Sequence, residues 1–106
     1  MAYDTLITNG DVVTERGVEA VDIVVHHGKI VALVARGTPI EANERIDAAG
    51  QYVIPGAVDI HFHCRAPAYP QRGDFATETR AAAAGGVTTI FEMPISKPCC
   101  ATGAIF

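Results

Sequence analysis

Two histidines in the second half of the chain have the spacing of a metal-binding pair. His61 and His63 stand in a run, residues 58–63, in which apolar and polar side chains alternate. If this run is a strand, both imidazoles project from one face, with Cα atoms about 6.5–7 Å apart. Two imidazoles that converge in this way can share one metal ion. Asp59 is predicted to accept a hydrogen bond from a ligand's second ring nitrogen, and Arg65 continues the same alternation toward the strand's C-terminal end.

A bare His-x-His pair also occurs without a metal, as a structural or solvent-facing pair. The rest of the strand favours a site. Val58, Ile60 and Phe62 predict one face packed into a core, whereas the opposite face is polar throughout. A parallel strand is normally apolar on both faces, and burial of unused polar groups is costly. A polar row on such a strand therefore indicates a functional use.

The segments around this strand predict a strand–helix–strand unit. Asp74 is a good N-cap for a helix that runs through four alanines to Ala84, and Gly85-Gly86 supplies its stop. Residues 87–91 are β-branched and aromatic, which favours a second strand. Short links between strand, helix and strand predict parallel strands joined by a right-handed crossover.

Residues 1–54 are typical of an antiparallel β unit made of short strands. Asn9-Gly10 predicts a tight hairpin turn between the first two strands. Two β-branched runs farther along predict a second hairpin. Asp22 and Glu19, at the first of those runs, are predicted on a solvated face.

Two adjacent histidines precede a glycine at the tip of the second hairpin. His26 and His27 could be a metal pair, but adjacent residues of a strand point apart. We therefore expect a solvated turn at this position rather than a pair of ligands.

Composition excludes several classes of protein. The chain has 106 residues, of which 49% are hydrophobic and 19% charged, with a net charge of −4. This is too apolar and too weakly charged for a disordered protein. There is no apolar run of about 18 residues for a membrane span and no signal-peptide pattern at the start. The eight Lys and Arg residues are scattered, so neither nucleic acid nor membrane is a predicted partner.

The cysteines predict free thiols. The chain has an odd number of cysteines, Cys64, Cys99 and Cys100, and the last two are adjacent. This is a poor framework for disulfides. No C-x-x-C spacing suggests a thiolate zinc cage. The cysteine use fits a reducing compartment, hence the cytoplasm. Cys64 alternates away from the histidines, so we expect it in the core.

The stretch PGAVDIHFHCR, residues 55–65, resembles the first barrel strand of the amidohydrolase superfamily. It is similar, more narrowly, to the dihydroorotase, allantoinase and hydantoinase group. Residues 74–94, which end in Glu-Met-Pro, resemble the next helix and strand of that group. The first half, with Gly-Lys-Ile at 28–30 and Asp-Ala-Ala-Gly at 47–50, is similar to the small β-sandwich that precedes the barrel.

The resemblance implies an α/β fold in two parts. Residues 1–54 would form an N-terminal β-sandwich portion. Residues 55–106 would form the first β-α-β segment of a (β/α)8 TIM barrel, truncated here because a full barrel takes about 250 residues.

The resemblance also implies a metal-dependent hydrolase. His61 and His63 would hold one of two metal ions, usually zinc, and water activated by the ions would open a small cyclic amide or ureide ring. Arg65 matches an arginine that binds the substrate carboxylate in dihydroorotases, so dihydroorotase is the first expectation. Ile95, after the Met-Pro pair, departs from the dihydroorotase pattern, and Glu92, before that pair, resembles the allantoinase pattern. An allantoinase or hydantoinase is therefore the alternative.

The family's remaining ligands, a carboxylated lysine, two histidines and an aspartate, would lie beyond residue 106. We therefore assign no catalytic residue within the chain, expect the isolated chain to be inactive, and expect a homo-oligomeric parent. Two other classes remain open: a non-catalytic truncated relative that serves as a folding or interaction module, and a plain metal-binding β module.

Overall fold

The computed structural model describes residues 2–66, 68–93, 102 and 104. The chain divides into two compact units, residues 1–55 and residues 56–106. The described residues are mostly β-structure with one α-helix. That helix is too short and too polar to cross a membrane, and no other described helix could do so.

Unit 1, residues 1–55, contains two sheets. Its strands are β1 (Tyr3–Thr8), β2 (Asp11–Thr14), β3 (Gly17–Glu19), β4 (Val21–His26), β5 (Lys29–Ala35), β6 (Ala42–Asp47) and β7 (Tyr52–Val53). One sheet has the order β5-β4-β1-β6 and the other the order β3-β2-β7. β1 and β2 each have an antiparallel partner, but β6 and β7 pair with them in parallel. The prediction of a purely antiparallel unit is therefore wrong for β6 and β7.

The core of unit 1 forms where strands from both sheets bury apolar side chains. Leu6 of β1 and Val24 of β4 are almost completely buried, and Val12 and Ile23 are nearly so. Apolar burial of this kind is the main favourable term in folding a small β unit. The core is thus assembled from residues far apart in sequence.

The predicted hairpin at Asn9-Gly10 is wrong, because β1 and β2 lie in different sheets. Residues 9–10 instead form the corner where the chain passes between the sheets, with Asn9 at φ 63°. A Cβ at Gly10 would lie only 2.5 Å from Val53 Cγ2 and 3.0 Å from Ala48 Cβ. The glycine is needed for this close approach rather than for a hairpin turn.

Asp22 lies in the core of unit 1, which corrects its predicted place on a solvated face. Its Oδ1 accepts the Asn9 backbone N–H at 3.1 Å, and its Oδ2 accepts the Gly37 N–H at 2.8 Å. Because both oxygens have donors, the buried carboxylate is compensated. Through these two hydrogen bonds, Asp22 connects the corner after β1 to the segment that follows β5.

The second predicted hairpin is confirmed: β4 and β5 pair antiparallel, with His26 opposite Lys29. Its two-residue connection is His27-Gly28, at φ 51° and 71°. Positive φ at both positions is the geometry of a type I′ turn, which matches the twist of the paired strands.

Unit 2, residues 56–106, contains β8 (Ala57–Phe62), a 3₁₀ turn (Pro70–Arg72), α1 (Phe75–Ala84) and β9 (Val87–Glu92). β8 and β9 pair in parallel, as the strand–helix–strand prediction requires. Closure of these strands into a barrel, and the hand of the crossover, stay predictions.

The helix α1 begins and ends where the sequence indicates. Asp74 is its N-cap: the carboxylate accepts the Thr77 N–H at 2.8 Å, while the Thr77 hydroxyl accepts the Asp74 N–H at 3.0 Å. This reciprocal capping satisfies two backbone donors that a helix start would leave free. Gly85 is the C-cap, and Gly86 at φ 88° turns the chain into β9.

The apolar face of β8 is not buried in this chain. Val58 is 54% and Ile60 74% exposed, so their predicted burial in a core is wrong for the described residues. Thr88, Thr89 and Phe91 of β9 are also exposed. A parallel sheet of two strands offers its faces no cover of its own.

Candidate metal centre

His61 and His63 converge at the carboxyl end of β8. His61 is the penultimate residue of the strand and His63 is the first residue after it. Their Nε2 atoms lie 3.0 Å apart, and the ring centroids are 4.9 Å apart at an interplanar angle of 70°. Both side chains are exposed. Two-residue periodicity places them on one side of the backbone, and the rings then turn toward a common point.

The donor set and its spacing fit a zinc ion. Two imidazole nitrogens each about 2.0–2.1 Å from zinc, at a tetrahedral angle, are roughly 3.3 Å apart. The observed 3.0 Å between the Nε2 atoms differs little from this separation. In the absence of metal, one Nε2 can donate to the other, so the same contact also suits a histidine pair. The two side chains can therefore supply two ligands of a metal site.

Asp59 supports His61 through the backbone. Its Oδ1 accepts the His61 backbone N–H at 3.0 Å. The sequence predicts a contact between Asp59 and a ring nitrogen, whereas the observed bond is to the backbone of His61. It fixes the strand end from which the imidazole projects, rather than the tautomer of the ring.

Arg65 lies in a loop and does not continue the strand. β8 ends at Phe62, and Arg65 adopts φ 62°, in the left-handed region. The strand alternation that placed Arg65 beside the histidines is therefore wrong at this residue. Its carbonyl accepts the Tyr69 N–H at 3.2 Å, which closes a short turn. Arg65 is half-buried three residues beyond the end of β8.

A glutamate from the neighbouring strand holds the chain just after His63. Glu92, the last residue of β9, pairs with Phe62 and accepts the Cys64 backbone N–H on its Oε2 at 3.0 Å. Its Oε1 is buried and has no hydrogen-bond partner among the described residues. Glu92 was not among the predicted site residues, although a glutamate at the end of a strand parallel to β8 was the available signal.

Cys64 is buried, which confirms its predicted place in a core. Burial raises the pKa of its thiol, which favours the neutral form of the sulfur. Ile95, Cys99 and Cys100 lie outside the described residues, so predictions for them are not addressed by the structure.

Comparison with known proteins finds an allantoinase and an L-hydantoinase among the relatives. The allantoinase of Desulfitobacterium hafniense strain Y51 is 42% identical over 103 residues, which cover 97% of this chain and 23% of that protein. The structure of L-hydantoinase (dihydropyrimidinase) from Arthrobacter aurescens superimposes with a TM-score of 0.85 at 40% identity, over 94% of this chain and 22% of that one. By sequence and by backbone, the chain is related to the cyclic amidohydrolases.

A third neighbour carries a metal. N-acyl-D-glutamate deacylase from Bordetella bronchiseptica, solved with zinc and a phosphonate inhibitor, has a TM-score of 0.65 at 26% identity, over 85% of this chain and 18% of that one. No family model matches this chain. The chain spans about a fifth of the length of the curated relatives that it matches. These findings confirm the resemblance to the dihydroorotase, allantoinase and hydantoinase group.

Proposed function

We propose that this chain supplies the first metal-binding strand of a metal-dependent hydrolase that opens cyclic amide rings. The observation that carries the proposal is the convergence of His61 Nε2 and His63 Nε2, 3.0 Å apart, at the carboxyl end of a parallel strand. In parallel α/β folds this end of the strands is where sites are built. The relatives named above support a hydrolytic parent. We propose that this parent has a small β-sandwich before a (β/α)8 barrel. We infer zinc as the ion, and two ions in that parent.

Each residue of the proposed site has a defined task. His61 and His63 offer their Nε2 atoms as ligands, while Asp59 and Glu92 fix the backbone on either side of them. Arg65 is the proposed partner of a substrate carboxylate, because its planar guanidinium can form two parallel bonds with it. Zinc, when bound, supplies a Lewis acid that polarises the amide carbonyl and activates water near neutral pH. Asp59 and Glu92 act as positioning residues.

The proposed substrate is a small cyclic amide or ureide. Similarity to an allantoinase and an L-hydantoinase favours allantoin-type or hydantoin-type rings over the dihydroorotate expected first. Arg65 is the one feature that favours dihydroorotate, which carries a carboxylate. We propose the cytoplasm as the location, on the cysteine argument, and a homo-oligomer as the parent.

A chimera tests this proposal. The segment of A. aurescens L-hydantoinase that this chain matches is replaced by the chain, and ring opening is measured with hydantoin, allantoin and dihydroorotate. We expect metal-dependent turnover, and we expect His61→Ala and His63→Ala each to lower both bound zinc and kcat/KM by at least about 10–100-fold, because each removes a ligand. Glu41→Gln, an exposed carboxylate of unit 1, serves as the matched control and should change neither quantity.

Retention of full zinc content and activity in both histidine variants would contradict the ligand assignment. Arg65→Met then separates the substrates. A dihydroorotate-opening chimera should lose most of its affinity for that acidic ring, whereas turnover of a neutral ring should persist. The isolated chain with zinc should open none of the three rings faster than the metal alone.

A further inference from the structure

A second group of potential ligands lies in unit 1, on a different element from the site proposed above. Asp4 of β1 stands beside His26 and His27, at the tip of the β4–β5 hairpin. One ligand atom from each of the three side chains lies within 4.8 Å of the other two. Two imidazoles and a carboxylate are the ligand types that zinc and similar divalent ions prefer.

The turn brings the two adjacent histidines together. His26 is the last residue of β4, whereas His27 is the first turn residue, at φ 51°. Left-handed backbone at His27 rotates its side chain away from the position that strand alternation would give it. The ring centroids are 3.9 Å apart with an interplanar angle of 38°, so the prediction that these histidines point apart is wrong. Asn or Gly is usual in this turn conformation, and histidine is one of the few other residues enriched in it.

The Asp4 carboxylate is oriented toward the pair. Its Oδ2 accepts the His27 backbone N–H at 2.5 Å, and its Oδ1 lies 3.3 Å from His26 Nδ1. That Nδ1 is buried and has no hydrogen-bond partner among the described residues. The Tyr3 and His26 rings are also in edge-to-face contact, with centroids 5.5 Å apart. A buried ring nitrogen therefore faces a carboxylate oxygen held in place by the backbone.

We propose that Asp4, His26 and His27 form a second metal site, which binds one divalent cation of the zinc class. The separation of 3.3 Å between Asp4 Oδ1 and His26 Nδ1 equals that of two ligands on a tetrahedral zinc ion, roughly 3.3 Å. His27 supplies the third ligand, and water would take the fourth position because His27 is exposed. The ion would tie the start of the chain to the hairpin tip. It would stabilise unit 1 by mass action.

Zinc titration of the 106-residue chain tests this site apart from His61 and His63. The background is the double variant His61→Asn/His63→Asn, which removes the proposed catalytic-centre ligands. We expect this protein to bind one Zn²⁺ saturably by calorimetry, with the imidazole NMR signals of His26 and His27 shifting together. We also expect the Tm of unit 1 to rise with zinc concentration.

Two further variants in that background identify the ligands. His27→Asn creates an Asn-Gly pair, the preferred sequence for a type I′ turn, so it removes the ring and keeps the hairpin. Asp4→Asn keeps an acceptor for the His27 N–H and removes the charge. Each should weaken zinc binding at least about tenfold. Asp11→Asn, a strand carboxylate that faces Arg36, is the matched control and should leave the affinity unchanged.

A folded double variant that binds no zinc would overturn the proposal. So would equal zinc affinity in the background protein, His27→Asn and Asp4→Asn. Neither result would bear on the function proposed for His61 and His63, because those residues are already absent from every protein in the titration.

Discussion

The two units differ in how they bury their apolar residues. Unit 1 has a core of large side chains from several strands, with Leu6 and Val24 almost fully buried. The buried apolar residues described in unit 2 are small, Cys64 and Ala66, and both come from the loop after β8. The apolar face of β8 is exposed instead. Unit 1 is thus built to close on its own strands, whereas unit 2 has the pattern of a sheet that needs neighbours.

The proposed catalytic chemistry belongs to the unit with the weaker core. His61 and His63 lie at the end of a strand whose opposite face, with Ile60, is solvent-exposed. Precise placement of ligands requires support from surrounding packing and hydrogen bonds. In the described chain that support comes from two carboxylates, Asp59 and Glu92, rather than from a core.

Equivalent truncations in the two units give the largest expected contrast. Leu6→Ala should lower the free energy of unfolding of unit 1 by about 2–5 kcal/mol, because it leaves a cavity. Ile60→Ala in unit 2 should cost no more than about 0.5 kcal/mol, because that side chain is already in solvent. Urea titrations monitored by residue-resolved amide exchange separate the two units.

Leu33→Ala controls for the loss of a leucine as such. Leu33 lies in the same sheet as Leu6 but is partly exposed, so its cost should fall well below that of Leu6→Ala. If Ile60→Ala destabilised unit 2 as much as Leu6→Ala destabilises unit 1, the difference between the units would be lost.

A second contrast concerns carboxylates that hold backbone amides. Asp22→Ala in unit 1 should cost roughly 2–4 kcal/mol, since it removes a buried carboxylate that accepts the Asn9 and Gly37 N–H groups. Asp59→Ala in unit 2 removes one exposed bond of a half-buried carboxylate and should cost about 1 kcal/mol. Thermal unfolding of both variants measures the difference. Similar losses would mean that burial does not set the value of these bonds.

Local signals were sufficient where structure is local. Asp74, the alanine run and Gly85-Gly86 gave the helix its bounds, because capping and stop signals act within one turn. Alternation over residues 58–63 likewise identified β8 and the shared side of His61 and His63. Asn9-Gly10 misled, since a glycine that permits a hairpin also permits the close approach of Ala48 and Val53.

The features that the sequence could not predict depend on contacts between residues far apart in the chain. The parallel pairing of β6 with β1 joins residues about forty positions apart, and no local pattern specifies it. Burial of Asp22 follows from donors at Asn9 and Gly37, on other elements. At the site, two features depend on how β8 ends beside β9. These are the left-handed backbone of Arg65 and the hydrogen bond from the Cys64 N–H to Glu92.

The smallest expected contrast is a dependence on pH at the start of α1. Hydrogen bonds from the Thr77 backbone N–H, and then from its hydroxyl, hold the pKa of Asp74 below its ordinary value of 3.8. A carboxyl with a lowered folded pKa contributes stability that is present above the unfolded pKa and is lost as pH falls through the folded pKa. Protection of the Thr77 amide from exchange should therefore decrease below about pH 4.

Asp74→Asn keeps a good neutral cap and should flatten this decrease in unit 2. It should leave intact the parallel acid response of Asp47 in unit 1, whose pKa is lowered by the Asn9 side chain and the Ala49 N–H. A pH profile of Thr77 that is the same with Asp or Asn at this cap would show that the carboxylate charge plays no part in starting the helix.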